Sequence, residues 1–194
     1  LLARNVFNNF IADINVLAKF GLSLVVVHGG GPRIKRELDK KKIVSKFIDG
    51  LRVTDKNIIN TVEEVLIEFN RDIISSLEKL GTQAASFHTK SYNIIEVEPG
   101  KKELGFVGVP NKINDNLILT ALNKNKIPII APLGLGKNNQ TYNINGDTAA
   151  MAVAKSLKSR RLLLMTNVDG VLDKNKKLIE EISSSEVLEM IKDE

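Results

Sequence analysis

Two hydrophobic rhythms alternate along the chain. Apolar residues recurring every three or four positions (Leu2, Val6, Phe10, Ile14, Leu17) predict an opening helix to about Phe20, closed by Gly21. The same spacing at Ile58, Val62, Val65, Leu66, Phe69, Ile73, Ile74 and Leu77 predicts a long amphipathic helix over Asp55 to Leu80. Thr54 or Asp55 can cap its start and Gly81 its end. Further helices are expected from Pro32 to about Lys42, over Asn111 to Asn125, over Thr148 to Leu157, and after Ser183, where Glu186 completes a capping box. The second rhythm is the short unbroken apolar run of a strand buried on both faces: Leu24 to Val27, Ile127 to Pro132, and Arg161 to Thr166. Thr82 to Phe87, Tyr92 to Val97, Leu104 to Val109 and Leu178 to Glu180 read as shorter strands, and Asp49-Gly50 marks a hairpin within Lys46 to Thr54. Strands alternating with helices predict an α/β sandwich with a mostly parallel sheet.

Ligands of such sheets sit beyond the carboxyl ends of the strands, and three polar turns fall there. The first is His28-Gly29-Gly30-Gly31, succeeded by Pro32 where a helix can begin. Bare glycine backbone at a helix start directs N–H groups toward one point and tolerates positive φ, which suits an anionic oxygen. A plain strand–helix turn is the alternative. An esterase oxyanion loop would need a G-x-S-x-G elbow, which is absent, as are the Rossmann and P-loop fingerprints. Gly134, Gly136 and Lys137 lack P-loop spacing and read as a surface loop. The second turn, within Gln140 to Ala154, gathers Asn143, Asn145 and Asp147 before a helix of small residues. The third is Asn167-Val168-Asp169-Gly170-Val171-Leu172, a strand-end loop suited to a nucleotide. Arg52, two residues past the hairpin turn, can project from a rigid strand toward the glycine turn. His88 sits in a polar loop without an evident partner.

Composition narrows the chemistry. The 194 residues are 43% hydrophobic and 26% charged, with no cysteine, so disulfides and thiolate metal sites are excluded. No apolar run approaches the roughly 20 residues of a membrane span, and a cytoplasmic protein is expected. The formal charge of +5 is spread over scattered lysines, with Lys40 to Lys42 the one basic triplet and aromatics at 5%, which argues against nucleic acid. The chain starts at Leu1 inside a helical pattern and stops at Glu194 inside another, so both ends are expected to be cut.

The segments VVHGGGP (Val26 to Pro32), DGLRVTD (Asp49 to Asp55), LGFVG (Leu104 to Gly108), YNINGDTAA (Tyr142 to Ala150) and TNVDGVL (Thr166 to Leu172) together resemble the amino acid kinase family. DGLRVTD with YNINGDTAA is most similar to the branch acting on N-acetyl-L-glutamate. The resemblance implies a three-layer α/β sandwich, with residues 1–158 forming the N-acetylglutamate-binding lobe and 159–194 the start of the ATP-binding lobe. It implies transfer of the ATP γ-phosphoryl group to the substrate's side-chain carboxylate in arginine biosynthesis, with Mg²⁺ arriving on ATP, and a homo-oligomer. Gly30 and Gly31 match the family's backbone donors, Arg52 the arginine that grips a substrate carboxylate, Asn143 a substrate-binding asparagine, and Asp147 the aspartate that positions the catalytic lysines. Asn167, Val168, Asp169, Gly170, Val171 and Leu172 match the loop beside the nucleotide. The two family lysines would lie outside the chain, so the 194 residues alone are expected to be nearly inactive. Ser86 to Asn93 lacks the glycine turn usual there, and Asn167 stands where aspartate is common. Alternatives are a kinase of N-acetyl-aminoadipate in lysine biosynthesis, a non-catalytic amino-acid sensor on the same fold, and, weakest, a nicotinamide oxidoreductase.

Overall fold

A computed structural model describes residues 2–166, 168 and 170–192. They divide into two units, Leu1–Leu162 and Leu163–Glu194. In the first, helix α1 (Leu2–Lys19) precedes strand β1 (Val26–Val27), α2 (Gly31–Lys40), the hairpin β2 (Phe47–Ile48) and β3 (Leu51–Arg52), and α3 (Ile59–Lys79). Next come β4 (Ala84–Phe87), β5 (Ile95–Pro99), β6 (Gly108–Ile113), α4 (Asp115–Asn123), β7 (Ile127–Ile130), β8 (Leu133–Leu135), β9 (Thr141–Asn143) and α5 (Gly146–Ser156).

The central sheet runs β1-β7-β4, all parallel, with Val26 opposite Ile129 and Ser86 opposite Ile129 on the other side. Strand periodicity then sorts the side chains. Ile127 and Ile129 pack with Ile11 of α1 and Ile73 and Leu77 of α3, whereas Ile130 packs with Ile118 of α4 and Val153 of α5. One sheet thus carries helices on both faces, the three-layer sandwich expected. A second sheet, β6-β5-β8-β9, mixes one parallel contact (Glu96 with Leu135) with two antiparallel pairs, so the parallel character belongs to the central strands. Among the described residues no helix is long and apolar enough to cross a membrane.

Local chemistry explains most boundaries. Gly21 and Gly81 take φ of +82° and +81°, and the next residues, Leu22 and Thr82, donate back to the carbonyls of Leu17 and Leu77. These are Schellman closures that satisfy terminal carbonyls. Asp49 and Gly50 both have positive φ, +49° and +74°, which makes their turn type I′. The Asp55 carboxylate accepts from the N–H groups of Asn57 and Ile58 in the turn that leads into α3.

Several expectations shift. Leu24 and Val25 lie outside β1. The strand expected at Leu104 to Val109 begins at Gly108, because Lys102–Leu104 coils into a 3₁₀ turn and Gly105 is left-handed. Lys112 and Ile113, expected to be helical, pair with Glu96 and Ile95 in the antiparallel ladder, with Asn111 at a register shift in the same strand, so α4 starts at Asp115. Gly134 belongs to a buried strand rather than a surface loop; a Cβ there would collide with Val97 Cγ1 and stand 2.9 Å from the Ile95 carbonyl oxygen. Arg161 to Thr166 forms no strand: no ladder reaches it, and Leu163 and Met165 remain exposed. A buried strand needs hydrogen-bonding neighbours that apolar content cannot supply alone.

The second unit contains a turn in which the Asp173 carboxylate accepts from the N–H groups of Asn175 and Lys177. The expected strand at Leu178 to Glu180 is reduced to one bridge, Leu172 with Leu178. Helix α6 (Ser184–Lys192) opens with the capping box: Ser183 N–H donates to Glu186 (2.7 Å) and Glu186 N–H to the Ser183 hydroxyl (3.3 Å).

Candidate functional site

The central strands end beside one another, and the site is built from the turns beyond them. His28 prolongs β1 by donating its N–H to the Ile130 carbonyl at 3.1 Å. The chain then leaves the sheet through Gly29 and Gly30 into α2, with Pro32 in its first turn. The N–H groups of Gly29 and Gly30 make no hydrogen bond among the described residues. None of the three glycines adopts positive φ, so the conformational freedom expected of them is not used. Their role is spatial. Side-chain space at Gly29 and Gly31 is empty to 4 Å, whereas a Cβ on Gly30 would stand 2.5 Å from Leu66 Cδ2. A second helix start lies against the first, since a Cβ on Gly146 would be 3.8 Å from Gly29 Cα. Asn145 caps that helix, α5, by accepting from the Thr148 N–H at 3.0 Å, and Asp147 lies exposed in its first turn. Two positive helix ends therefore meet at one spot.

A cleft of about 280 Å³ opens there, with Gly30, Gly31, Arg52, Asn143 and Asp147 in its lining. Arg52 faces it from β3. Its guanidinium lies 4.7 Å above the Phe47 ring, donates through Nη1 to the Ser45 hydroxyl, and reaches the Gly31 carbonyl through Nη2 at 3.4 Å. Partial burial lowers its pKa, yet an arginine stays charged. Asn143, at the end of β9, donates its amide to the Thr54 hydroxyl at 3.2 Å. Phe47 and Ser45 contact Arg52 and Thr54 contacts Asn143, three neighbours of the candidate residues that sequence reasoning did not place there. Strand alternation carries a signal for one of them, because Thr54 shares a face with Arg52 two residues earlier.

Beneath the glycine turn lies a buried polar chain. Asn70 of α3 donates to the Ile129 carbonyl (2.9 Å) and to His28 Nε2 (3.2 Å), and accepts from the Ser86 hydroxyl (2.7 Å). An amide NH₂ can only donate, so the His28 proton sits on Nδ1 and is given to the Gly29 carbonyl at 2.9 Å. Burial pushes the His28 pKa down to about 4, with the nearby Arg33 charge adding to the effect, so the ring is neutral at pH 7. Glu63, also on α3, is buried; burial alone would raise its pKa, but bonds from Thr89, Lys90 and Thr141 hold it below the ordinary value. His88, for which the sequence offered no partner, accepts the Lys90 N–H at 3.2 Å, and burial lowers its pKa.

Of the strand-end loop, Val168, Gly170, Val171 and Leu172 belong to the second unit, and Asn167 and Asp169 lie outside the described residues. Among the described residues no group of three or more His, Asp or Glu side chains is placed to hold a metal ion.

Comparison with known proteins agrees with this architecture. The chain is 50% identical to the acetylglutamate kinase of Pelagibacter ubique over its whole length, covering 67% of that protein. It is 42% identical to the acetylglutamate kinase of Gluconobacter oxydans, over 93% of this chain and 66% of the relative. The chain thus spans about two thirds of the length of these curated relatives. Among solved structures, the Streptococcus mutans protein smu.665 superposes with a TM-score of 0.85 at 34% identity, over 94% of this chain and 75% of that one. The N-acetylglutamate synthase of Neisseria gonorrhoeae, solved with coenzyme A and N-acetyl-glutamate, shares the fold with a TM-score of 0.84 at 23% identity, over 97% of this chain and 44% of that one. A sequence profile described as "Amino acid kinase family" matches residues 2–194. With helices on both faces of a parallel sheet and a glycine turn opening into a cleft at its end, the chain belongs to the amino acid kinase family.

Proposed function

We propose that this chain carries the substrate site of an acetylglutamate kinase, in which the side-chain carboxylate of N-acetyl-L-glutamate accepts the γ-phosphoryl group of ATP. The observation that supports this best is the convergence, in one cleft, of free glycine N–H groups, two helix starts and an arginine. Phosphoryl transfer to a carboxylate asks a protein to hold two anions in line and to offset their charge, with little covalent chemistry of its own. Gly30 and Gly31 supply donors where charge accumulates, and Arg52 is a fork suited to the substrate's other carboxylate. Asn143 keeps amide capacity free for the N-acyl group. The Asp147 carboxylate has no protein partner among the described residues, which suits a role in orienting cations brought by the rest of the kinase.

Residues 159–194 then begin the ATP-binding lobe, with Val168, Gly170, Val171 and Leu172 of the matching loop beside the nucleotide. Mg²⁺ would arrive on the ATP phosphate oxygens, the usual partners of this ion at phosphoryl-transfer sites. Calorimetric titration of N-acetyl-L-glutamate into the chain, with Arg52→Ala alongside, tests the reading. Saturable binding lost in the variant is expected. A folded chain that ignores this ligand but binds N-acetyl-aminoadipate would move the reading to the longer substrate.

A further inference from the structure

Thr54 is fully buried at the crossing of three segments. Its N–H donates to the Leu104 carbonyl (2.9 Å), its carbonyl accepts from Phe106 (2.6 Å), and Phe106 in turn accepts the Asn143 N–H (2.9 Å). Its hydroxyl has a donor and an acceptor engaged at once: it gives its proton to the Arg52 carbonyl at 3.1 Å and accepts from the Asn143 amide at 3.2 Å. A single hydroxyl therefore joins the two residues assigned to the substrate, which lie on different sheets. The hairpin that carries Arg52 has only two residues in each strand, and so short a ladder cannot hold its own position.

We propose that Thr54 is a positioning residue for an N-acylated amino dicarboxylate: its hydroxyl fixes the separation between the Arg52 fork and the Asn143 amide, and so the distance between the carboxylate and the acylamide that the cleft accepts. This rests on the substrate proposed for the cleft. The bond to Thr54 uses one amide hydrogen of Asn143, leaving its second hydrogen and its carbonyl uncommitted among the described residues. Without the hydroxyl, the amide is free to rotate and the Arg52 carbonyl loses its side-chain partner.

Thr54→Val keeps the branched shape and removes only this chemistry. In steady-state kinetics of the whole gene product, the KM for N-acetyl-L-glutamate should rise about tenfold, the size expected for losing one buried hydrogen bond at a substrate residue. The kcat and the KM for ATP should stay near the parent values, and Thr54→Ser should restore the first KM. In Asn143→Ala, adding Thr54→Val should change the KM little further, because both act through one contact. A Thr54→Val enzyme that loses thermal stability but keeps the parental KM, or a Thr54→Ser enzyme as weak as the valine variant, overturns the inference. If Thr54→Val does not fold, Thr54→Ala against Thr54→Ser isolates the hydroxyl equally well. A parent enzyme that does not use N-acetyl-L-glutamate and is indifferent to Arg52→Ala overturns the substrate reading, and the role of Thr54 falls with it.

Discussion

The glycines of the turn after β1 and the glycine beside Thr54 are used in opposite ways. In the turn after β1, Gly29 and Gly31 face open space, and the Gly29 and Gly30 N–H groups make no hydrogen bond among the described residues. At the crossing of Thr54 and Gly105, the glycine lets two backbones touch: Gly105 has φ +69°, and a Cβ there would stand 2.5 Å from the Thr54 carbonyl oxygen. Both backbone groups of Thr54 are paired at that crossing. The first region leaves N–H groups unpaired among the described residues, and the second pairs every backbone group of Thr54. Glycine content alone distinguishes neither.

Substitutions should separate the two uses. Gly105→Ala should have the largest effect: forced left-handed geometry plus a backbone collision should cost roughly 3 kcal/mol or more, read as a lower denaturant midpoint, with ligand binding lost as well. Second is acidification, which tests the buried layer under the glycine turn. The folded His28 pKa of about 4 lies below its ordinary 6.5, so the unfolded chain binds the extra proton between those values. The stability contributed by a neutral His28 should therefore be complete above about pH 6.5 and fall as pH drops toward 4, by roughly 3 kcal/mol from this group. A His28→Gln variant should flatten that dependence, and an unchanged slope would rule His28 out as its source. Gly31→Ala should do the reverse of Gly105→Ala: stability within about 0.5 kcal/mol of the parent, because the space is empty, but weaker N-acetyl-L-glutamate binding in calorimetry. Smallest is Ser183→Ala, which removes half a capping box at α6 and should cost about 1 kcal/mol of local helix stability by hydrogen exchange, with no change at the cleft.

Legibility in the sequence tracked the reach of each interaction. Asp49-Gly50, the helix ends at Gly21 and Gly81, and the Ser183–Glu186 box involve residues within a few positions of one another, and each is readable from residue type. The glycine turn is readable as a strand–helix turn at the end of the central sheet, though space rather than positive φ is what it needs. Thr54 with Asn143 spans 89 positions, and Asn70 with His28 spans 42, and nothing local announces either. The region 104–113 misleads because Leu104 and Phe106 imitate a strand, while the actual strand carries Pro110. That proline is tolerated because β6 is an edge strand. Gly134 looks like a loop residue, although its missing Cβ is what lets β8 lie against Val97.

Helix α3 sets three of these contacts from one stripe. Glu63 bonds Thr89 and Thr141, Leu66 lies under Gly30, and Asn70 holds His28. Spacings of three and four residues keep them on one side of the helix. The helix therefore tolerates changes of residue far better than changes of length. One inserted residue between Leu66 and Asn70 would swing everything on one side of it by about 100° and 1.5 Å along the axis. Asn70 would then no longer meet the ring it pairs with while Glu63 kept its partners. Lineages carrying this cleft should accordingly vary the letters of α3 while preserving its count between these positions, and place their insertions in the connections at either end.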